Sequence, residues 1–215
     1  MDDAARPNPL TGNTKFDSMI AGFAGLSDAA EQDAARAEIW ERFGTQGAVF
    51  ISDMANFSVT SRKMGVCHFL KLIHRARETM APLIAANNGR LLKSEADNCY
   101  AFFEQVDDAI RASFEINAAL FDGNSERPVD EQIYLSVGID YGRLLLIDDI
   151  DYFGDPVNTA SKLGEDLASN AETLVTDRAI AVSSYEPPDL AERMVARISD
   201  IEISYVRVPM TEAQS

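Results

Sequence analysis

Two acids stand where apolar strand patterns end. Asp53 closes "GAVFISDM", residues 47–54, just after Val49, Phe50 and Ile51. Asp97 lies in "EADN", between the short strand patterns "NNGRLLK" and "NCYAFFE". If those strands lie side by side, both carboxylates meet at one edge of a sheet. Two carboxylates with no cation between them repel, so such a pair is either split by a pKa shift or bridged by metal. Oxygen-only ligation suits Mg2+ or Mn2+, with substrate phosphates completing the shell. The plainer alternative makes Asp53 a strand-end cap and Asp97 an ordinary turn residue.

A second constellation lies in "DYFGDPVNTASKLGED", residues 151–166. Pro156 suits the first turn of a helix, where its missing N–H costs nothing, and Asp155 before it is a good N-cap. Asn158 and Lys162 then project from one helical face at i, i+4. Free N–H groups with an amide and an ammonium suit a phosphate. The alternative is a well-capped surface helix with a solvated lysine.

The surrounding elements must position these groups. Residues 15–43 read as helix, with Ser27 as a candidate N-cap, Gly44 as C-cap, and Trp40 and Phe43 as apolar anchors. After the strand at 47–54, Val66, Phe69, Leu70 and Ile73 recur at i, i+3, i+4, i+7, a helical spacing that Pro82 kinks or shortens. Two strands follow as a hairpin, then an amphipathic helix over 106–120. "QIYLSVGIDYG" and "RLLLIDD" read as two further strands, followed by the 151–166 helix, a short strand at 173–177 and late strand material at 196–208. Strand, helix, strand, strand, helix, strand is the split βαββαβ order of the ferredoxin-like α+β class, here with appended elements. One helical layer on one mostly antiparallel sheet buries both apolar faces.

Composition limits the partners. In 215 residues, 46% apolar, the formal charge is −16. The length supports one core plus an extension. The charge argues against nucleic acid and against anionic membranes, both of which need a basic footprint. Cys67 and Cys99 stand far apart in apolar company and read as free buried thiols of a reducing cytosol. The acidic start "MDDAARPNPLTGNTKF" has no apolar core of a signal peptide, and runs such as "LLLI" are too short to span a bilayer. A cytoplasmic location is expected.

Four stretches together resemble the catalytic domain of the class III nucleotidyl cyclases (adenylyl and guanylyl cyclases). "VFISDMANFS" is similar to the family's first metal motif, F-x-D-I-x-G-F-[ST]. "GRLLKSEADNCYAFF" resembles its second, where a base-reading residue precedes Gly-Asp. "LSVGIDYG" looks like its G-I-x-x-G strand, and "DYFGDPVNTASKL" its D-x-x-G-x-x-V-N-x-A-[AS]-R-[LM]. The resemblance runs over residues 47–180. It implies a helical extension at 1–45 and a cyclase homology domain at 46–215. It implies that Asp53 and Asp97, with the backbone carbonyl near Met54, hold two Mg2+ or Mn2+ ions per site. One would activate the ribose 3'-hydroxyl and the other clamp the triphosphate, for in-line attack on the α-phosphate. Lys93 and Asp151 match the pair that reads adenine, which implies ATP as substrate and cyclic AMP and pyrophosphate as products. Asn158 would orient the ribose, and Lys162 stands where the family has its transition-state arginine. Asn56 and Phe57 fall in the substrate-binding part of the first motif. Because the family shares each site between two chains and all positions occur here, a homodimer is implied.

The chain departs from the pattern at several points. Lys162 lacks the planar fork of arginine. Asn56 and Ala96 replace glycines, and the late-strand phosphate lysine is missing, Arg207 being a poor positional match. Glu95 adds charge beside Asp97, to strengthen metal binding or to repel triphosphate. Asp148 and Asp149 compete with Asp151 for the base-reading role if the strand register slips. A domain that binds nucleotide or dimerises without catalysis, or a cyclase acting on GTP or a pyrimidine nucleotide, is the alternative that these departures leave open.

Overall fold

A strand that is apolar on both faces must be covered on both, and "AVFI", Ala48–Ile51, is fully buried. The computed structural model describes residues 9–55, 62, 64–186, 192–198 and 201–209. The chain runs α1 (Thr14–Ala24), α2 (Ala29–Phe43), β1 (Gly44–Met54), α3 (Val66–Ala86), β2 (Arg90–Glu95), β3 (Asn98–Phe103), α4 (Val106–Asn124), β4 (Leu135–Ile147), β5 (Asp151–Phe153), α5 (Asp155–Ser161), β6 (Glu172–Thr176), α6 (Asp177–Ile180), β7 (Glu192–Ile198) and β8 (Ile201–Pro209). The sheet order is β2-β3-β1-β4-β6-β8-β7, with β5 paired to β4. Only the β4–β6 pairing is parallel. The first four strands have the order that the βαββαβ reading requires, and the fold is the expected mixed α+β arrangement.

Alternation along β1 assigns the faces. Ala48, Phe50 and Met54 point into the cluster made by α3 and α4. Val49 and Ile51 point the other way, against Leu144, Tyr152 and Ala160. With a side-chain period of two, Asp53 belongs to this second face, away from the long helices.

Several expected elements differ. The 15–43 helix is two helices, because Gly25 ends the first and Asp28, not Ser27, caps the second. The Asp28 carboxylate accepts from the N–H groups of Ala30 and Glu31, both at 3.0 Å. Gly44 is extended and opens β1 directly, three residues earlier than expected. A Cβ there would sit 2.2 Å from the Trp40 carbonyl oxygen, so only glycine allows so abrupt a turn from helix to strand. The two strands read around Gly142 are one 13-residue strand, β4, in which Gly142 pairs with Gly47 and makes room for the Pro156 ring. On α3, Phe69 is buried but Val66 and Leu70 are exposed, and the packed stripe continues instead through Leu72, Ala76, Met80 and Ile84. Pro82 neither ends nor shortens α3. It lies on the exposed side, where water can satisfy the carbonyl it leaves unpaired. Cys67 is exposed, not buried, whereas Cys99 is buried. The late strand material is a hairpin, β7 with β8.

α1 and α2 pack on the far end of β4 and on β5. Phe16 meets Phe43 edge-on at 5.1 Å and stacks on Phe153 at 5.9 Å, over Ile39 and Ile147. Among the described residues, no helix is long and apolar enough to cross a membrane.

Candidate active site

The acid pair forms because β1 and β3 are neighbours. Ser52 is opposite Cys99, so Asp53 lies beside the β2–β3 turn that carries Asp97. The two carboxyl groups lie close enough to act on each other's ionisation. Burial first, and the facing Asp97 charge second, push Asp53 up to about 7; Glu165 adds to the rise and the Met54 N–H opposes it. Burial also raises Asp97. Asp53 thus keeps its proton up to near neutrality. Met54 contributes its amide to Asp53, while its side chain is buried in the core. Asn98, next to Asp97, donates to Glu165 at 2.8 Å, and its buried Oδ1 has no hydrogen-bond partner. Among the described residues no cluster of three or more His, Cys, Asp or Glu side chains is suited to hold a metal. The donor set at the acid pair is therefore two carboxylates with no nitrogen or sulfur. It fits a hard divalent cation that displaces the Asp53 proton and keeps other positions for water or phosphate. Ala96, in the same turn, has φ 51°, a left-handed conformation that an L side chain strains to adopt.

Lys93 reaches its place through an irregularity. Between Leu91 and Lys93 the β2–β3 register shifts, so Lys93 pairs with Tyr100 where regular pairing would set Leu92 there. Such a bulge re-aims a side chain to the other face. The Lys93 ammonium lies 4.9 Å from the Tyr100 ring centre and donates to Asp151 Oδ2 at 3.0 Å. Burial pulls its pKa down, but hydrogen bonds to Glu95 and Asp151 outweigh that and raise it overall. Asp148 and Asp149 are taken elsewhere: Asp148 accepts from Asn13 Nδ2 at 2.7 Å, and Asp149 pairs with Arg90 at 3.2 Å. Asp151 is further held by the Tyr152 N–H at 2.8 Å. The fully buried Tyr152 ring anchors that segment, its hydroxyl donating to the Phe50 carbonyl at 3.3 Å. Glu95 forms a 3.0 Å ion pair with Lys93.

α5 lies directly on β4 and β1. A Cβ at Gly138 would sit 2.1 Å from the Ala160 carbonyl oxygen, and one at Gly164 would sit 2.9 Å from that of Ile51, so both positions require glycine for this approach. Gly154, not Asp155, is the N-cap, and Pro156 follows in the first turn. Asp155 instead forms an ion pair with Arg178 at 2.7 Å. Asn158 is exposed and Lys162 half-buried, and from Lys162 to Leu167 the helix widens into a π turn, a form common at functional sites. Asn56 and Phe57 lie outside the described residues. Arg207 is on β8 and pairs with Glu172 at 3.7 Å.

Sequence reasoning missed the clamp beneath α5. Asp140, fully buried on β4, accepts from Arg178 Nε at 2.7 Å, from Arg178 Nη2, from Thr176 Oγ1 at 2.5 Å and from the Tyr141 N–H at 2.8 Å. One arginine therefore joins β4, α6 and the start of α5. The local sequence of "TDRA" carries no sign of a partner 38 residues away.

No protein-family model matches the chain. Over 131 residues, 60% of its length, the chain is 29% identical to a curated protein of Rhizobium meliloti (strain 1021) named "Putative adenylate cyclase 3", and it spans 22% of that protein's length. Among solved structures it is similar to an adenylate/guanylate cyclase/hydrolase from Silicibacter pomeroyi, 26% identical, with TM-score 0.64 over 78% of this chain and 99% of that one. It shares a fold with the guanylyl cyclase Cya2, 14% identical, with TM-score 0.67 over 80% of this chain and 96% of the other.

Proposed function

We propose that this chain, which has the class III nucleotidyl cyclase catalytic fold, converts ATP to 3',5'-cyclic AMP and pyrophosphate at a site shared across a homodimer. The observation that carries the enzymatic reading is the β1–β3 register, which sets Asp53 beside the turn that carries Asp97, close enough for the Asp97 charge to raise the Asp53 pKa. Their oxygens would hold Mg2+ or Mn2+, two per site, once the Asp53 proton leaves. Bound there, the cations would lower the pKa of the ribose 3'-hydroxyl and offset phosphate charge. The protein's own part is positioning and charge placement.

Lys93 and Asp151 support adenine, since an ammonium donates to ring N1 and a carboxylate accepts from the N6 amine. Asn158, exposed on α5, is free to meet the ribose of a nucleotide held by a partner chain. Lys162 supplies a positive charge toward the phosphates, less well than the bidentate arginine of the family pattern. On the family pattern Asn56 and Phe57 would bind substrate, with residues 1–45 as a helical extension of the 46–215 catalytic domain.

The test is to incubate the chain separately with ATP, GTP, CTP and UTP, with Mg2+ or Mn2+, and to assay cyclic nucleotides by chromatography. Cyclic AMP that disappears in Asp53→Ala is the expected result. A different cyclic nucleotide in place of cyclic AMP would keep the mechanism and overturn the base assignment. No product from a folded dimer would favour a regulatory domain without catalysis. Sharing of the site has its own test. Asp97→Ala and Asn158→Ala chains, each inactive alone, should regain activity when mixed, because one site of the heterodimer escapes both changes.

A further inference from the structure

Lys93 stands between two carboxylates, not one. Its ammonium is 3.0 Å from Asp151 Oδ2 and also 3.0 Å from Glu95 Oε1. The two acids differ in setting. The Asp151 side chain is 13% exposed and held by the Tyr152 N–H, whereas that of Glu95 is 63% exposed. Beyond the bulge, Lys93 and Glu95 are two residues apart on β2 and share a face, which explains why Glu95 reaches the ammonium. The Tyr100 ring at 4.9 Å confines the ammonium from a further direction. The result is a triplet of carboxylate, ammonium and carboxylate, which reads as acceptor, donor, acceptor.

We infer that Glu95 is a specificity-determining residue, the second acceptor through which this site takes guanine nucleotides as well as adenine nucleotides. The inference rests on the nucleotide-cyclase reading above. Adenine offers an N6 donor followed by the N1 acceptor, which matches Asp151 followed by Lys93. Guanine offers the O6 acceptor followed by N1–H and N2–H donors. Set against Asp151 and Lys93 alone, it would bring O6 against a carboxylate and N1–H against an ammonium, two repulsions. Moved one step along the triplet, O6 accepts from Lys93, and N1–H and N2–H donate to the two oxygens of Glu95. Charge-assisted, bidentate contacts of this kind are the strong ones. The same lysine thus serves both bases, and the choice of carboxylate separates them.

The test reads binding without turnover. 3'-Deoxy-ATP and 3'-deoxy-GTP, which lack the attacking hydroxyl, are titrated calorimetrically into the full chain with Mg2+. The wild type should bind both analogues. In Glu95→Gln the ratio of guanine to adenine dissociation constants should rise about tenfold or more, the loss of one charge-assisted contact. Glu95→Ala should move the ratio the same way, which guards against the new amide standing in for the carboxylate. Asp151→Asn should move it in the opposite direction. A ratio equal in the wild type and both Glu95 variants would overturn the role of Glu95 and leave the nucleotide site standing, as would a wild type that binds only the adenine analogue. A folded wild type that binds neither analogue would overturn the nucleotide reading itself.

Discussion

Arg178→Gln isolates the clamp that seats α5. Arg178 makes two of the four hydrogen bonds to the Asp140 carboxylate, which is fully buried, and its third nitrogen pairs with Asp155 at 2.7 Å. The hydrogen bonds to Asp140 come first among the causes that hold its guanidinium pKa above the ordinary arginine value. Truncation leaves Asp140 charged and buried with only Thr176 and the Tyr141 N–H as donors. Removing one partner of a fully buried pair costs about 3–5 kcal/mol. Here the arginine side chain is 46% exposed, so water screens part of the loss and about 2–3 kcal/mol is expected. With a urea slope of about 2 kcal/mol/M, the unfolding midpoint should fall by about 1–1.5 M. Asp140→Asn combined with Arg178→Gln should recover part of that loss, because the stranded charge is gone. The assay is equilibrium urea unfolding of Arg178→Gln, Asp140→Asn and the double variant beside the wild type. A midpoint shift for Arg178→Gln below about 0.25 M, or a double variant less stable than the sum of the single ones, would refute the clamp.

Two other perturbations follow from the acid turn. Ala96→Gly relieves a left-handed residue at φ 51° and should stabilise the chain by about 1 kcal/mol net of the added backbone freedom, read as a rise in the thermal midpoint. Asp53 has a folded pKa of about 7, above its ordinary value of 3.8. Its contribution to stability is therefore fully present below pH 3.8 and is lost as pH rises through about 7. Without metal, Asp53→Asn should be more stable than the wild type above pH 7 and should lose that advantage in acid; pH-dependent thermal melts check this. Mg2+ affinity of the wild type should rise over the same range, since binding displaces the Asp53 proton, and calorimetry in buffers of different ionisation heat counts that proton.

The legible part of this molecule is local. β1 to β4 and the helices between them follow from apolar periodicity within windows of about a dozen residues. Asp53 and Asp97 come together because the order of these elements leaves few sheets to build, and the shortest one makes β1 and β3 neighbours. Boundaries were less legible. Gly25 and Asp28 split a continuous helical pattern, and Gly142 looked like a break yet pairs within β4. Val66 and Leu70 had helical spacing but face solvent, because periodicity gives a stripe and not its rotation against the neighbouring sheet.

By itself, then, the sequence determined which chemistry-bearing residues exist and in what order: the two acids, the lysine before Asp97, and the proline-started helix with its amide and ammonium. Local covalent spacing and side-chain period are enough for that. Tertiary structure alone decided their company. One bulge turns Lys93 toward Tyr100, strand pairing sends Asp151 to Lys93 and leaves Asp148 and Asp149 to Asn13 and Arg90, and Glu95 joins the ammonium. The clamp of Asp140, Asp155 and Arg178 spans residues far apart in the chain. Each of these is a choice among partners of similar chemistry, and only burial and geometry, fixed by the whole sheet, distinguish them.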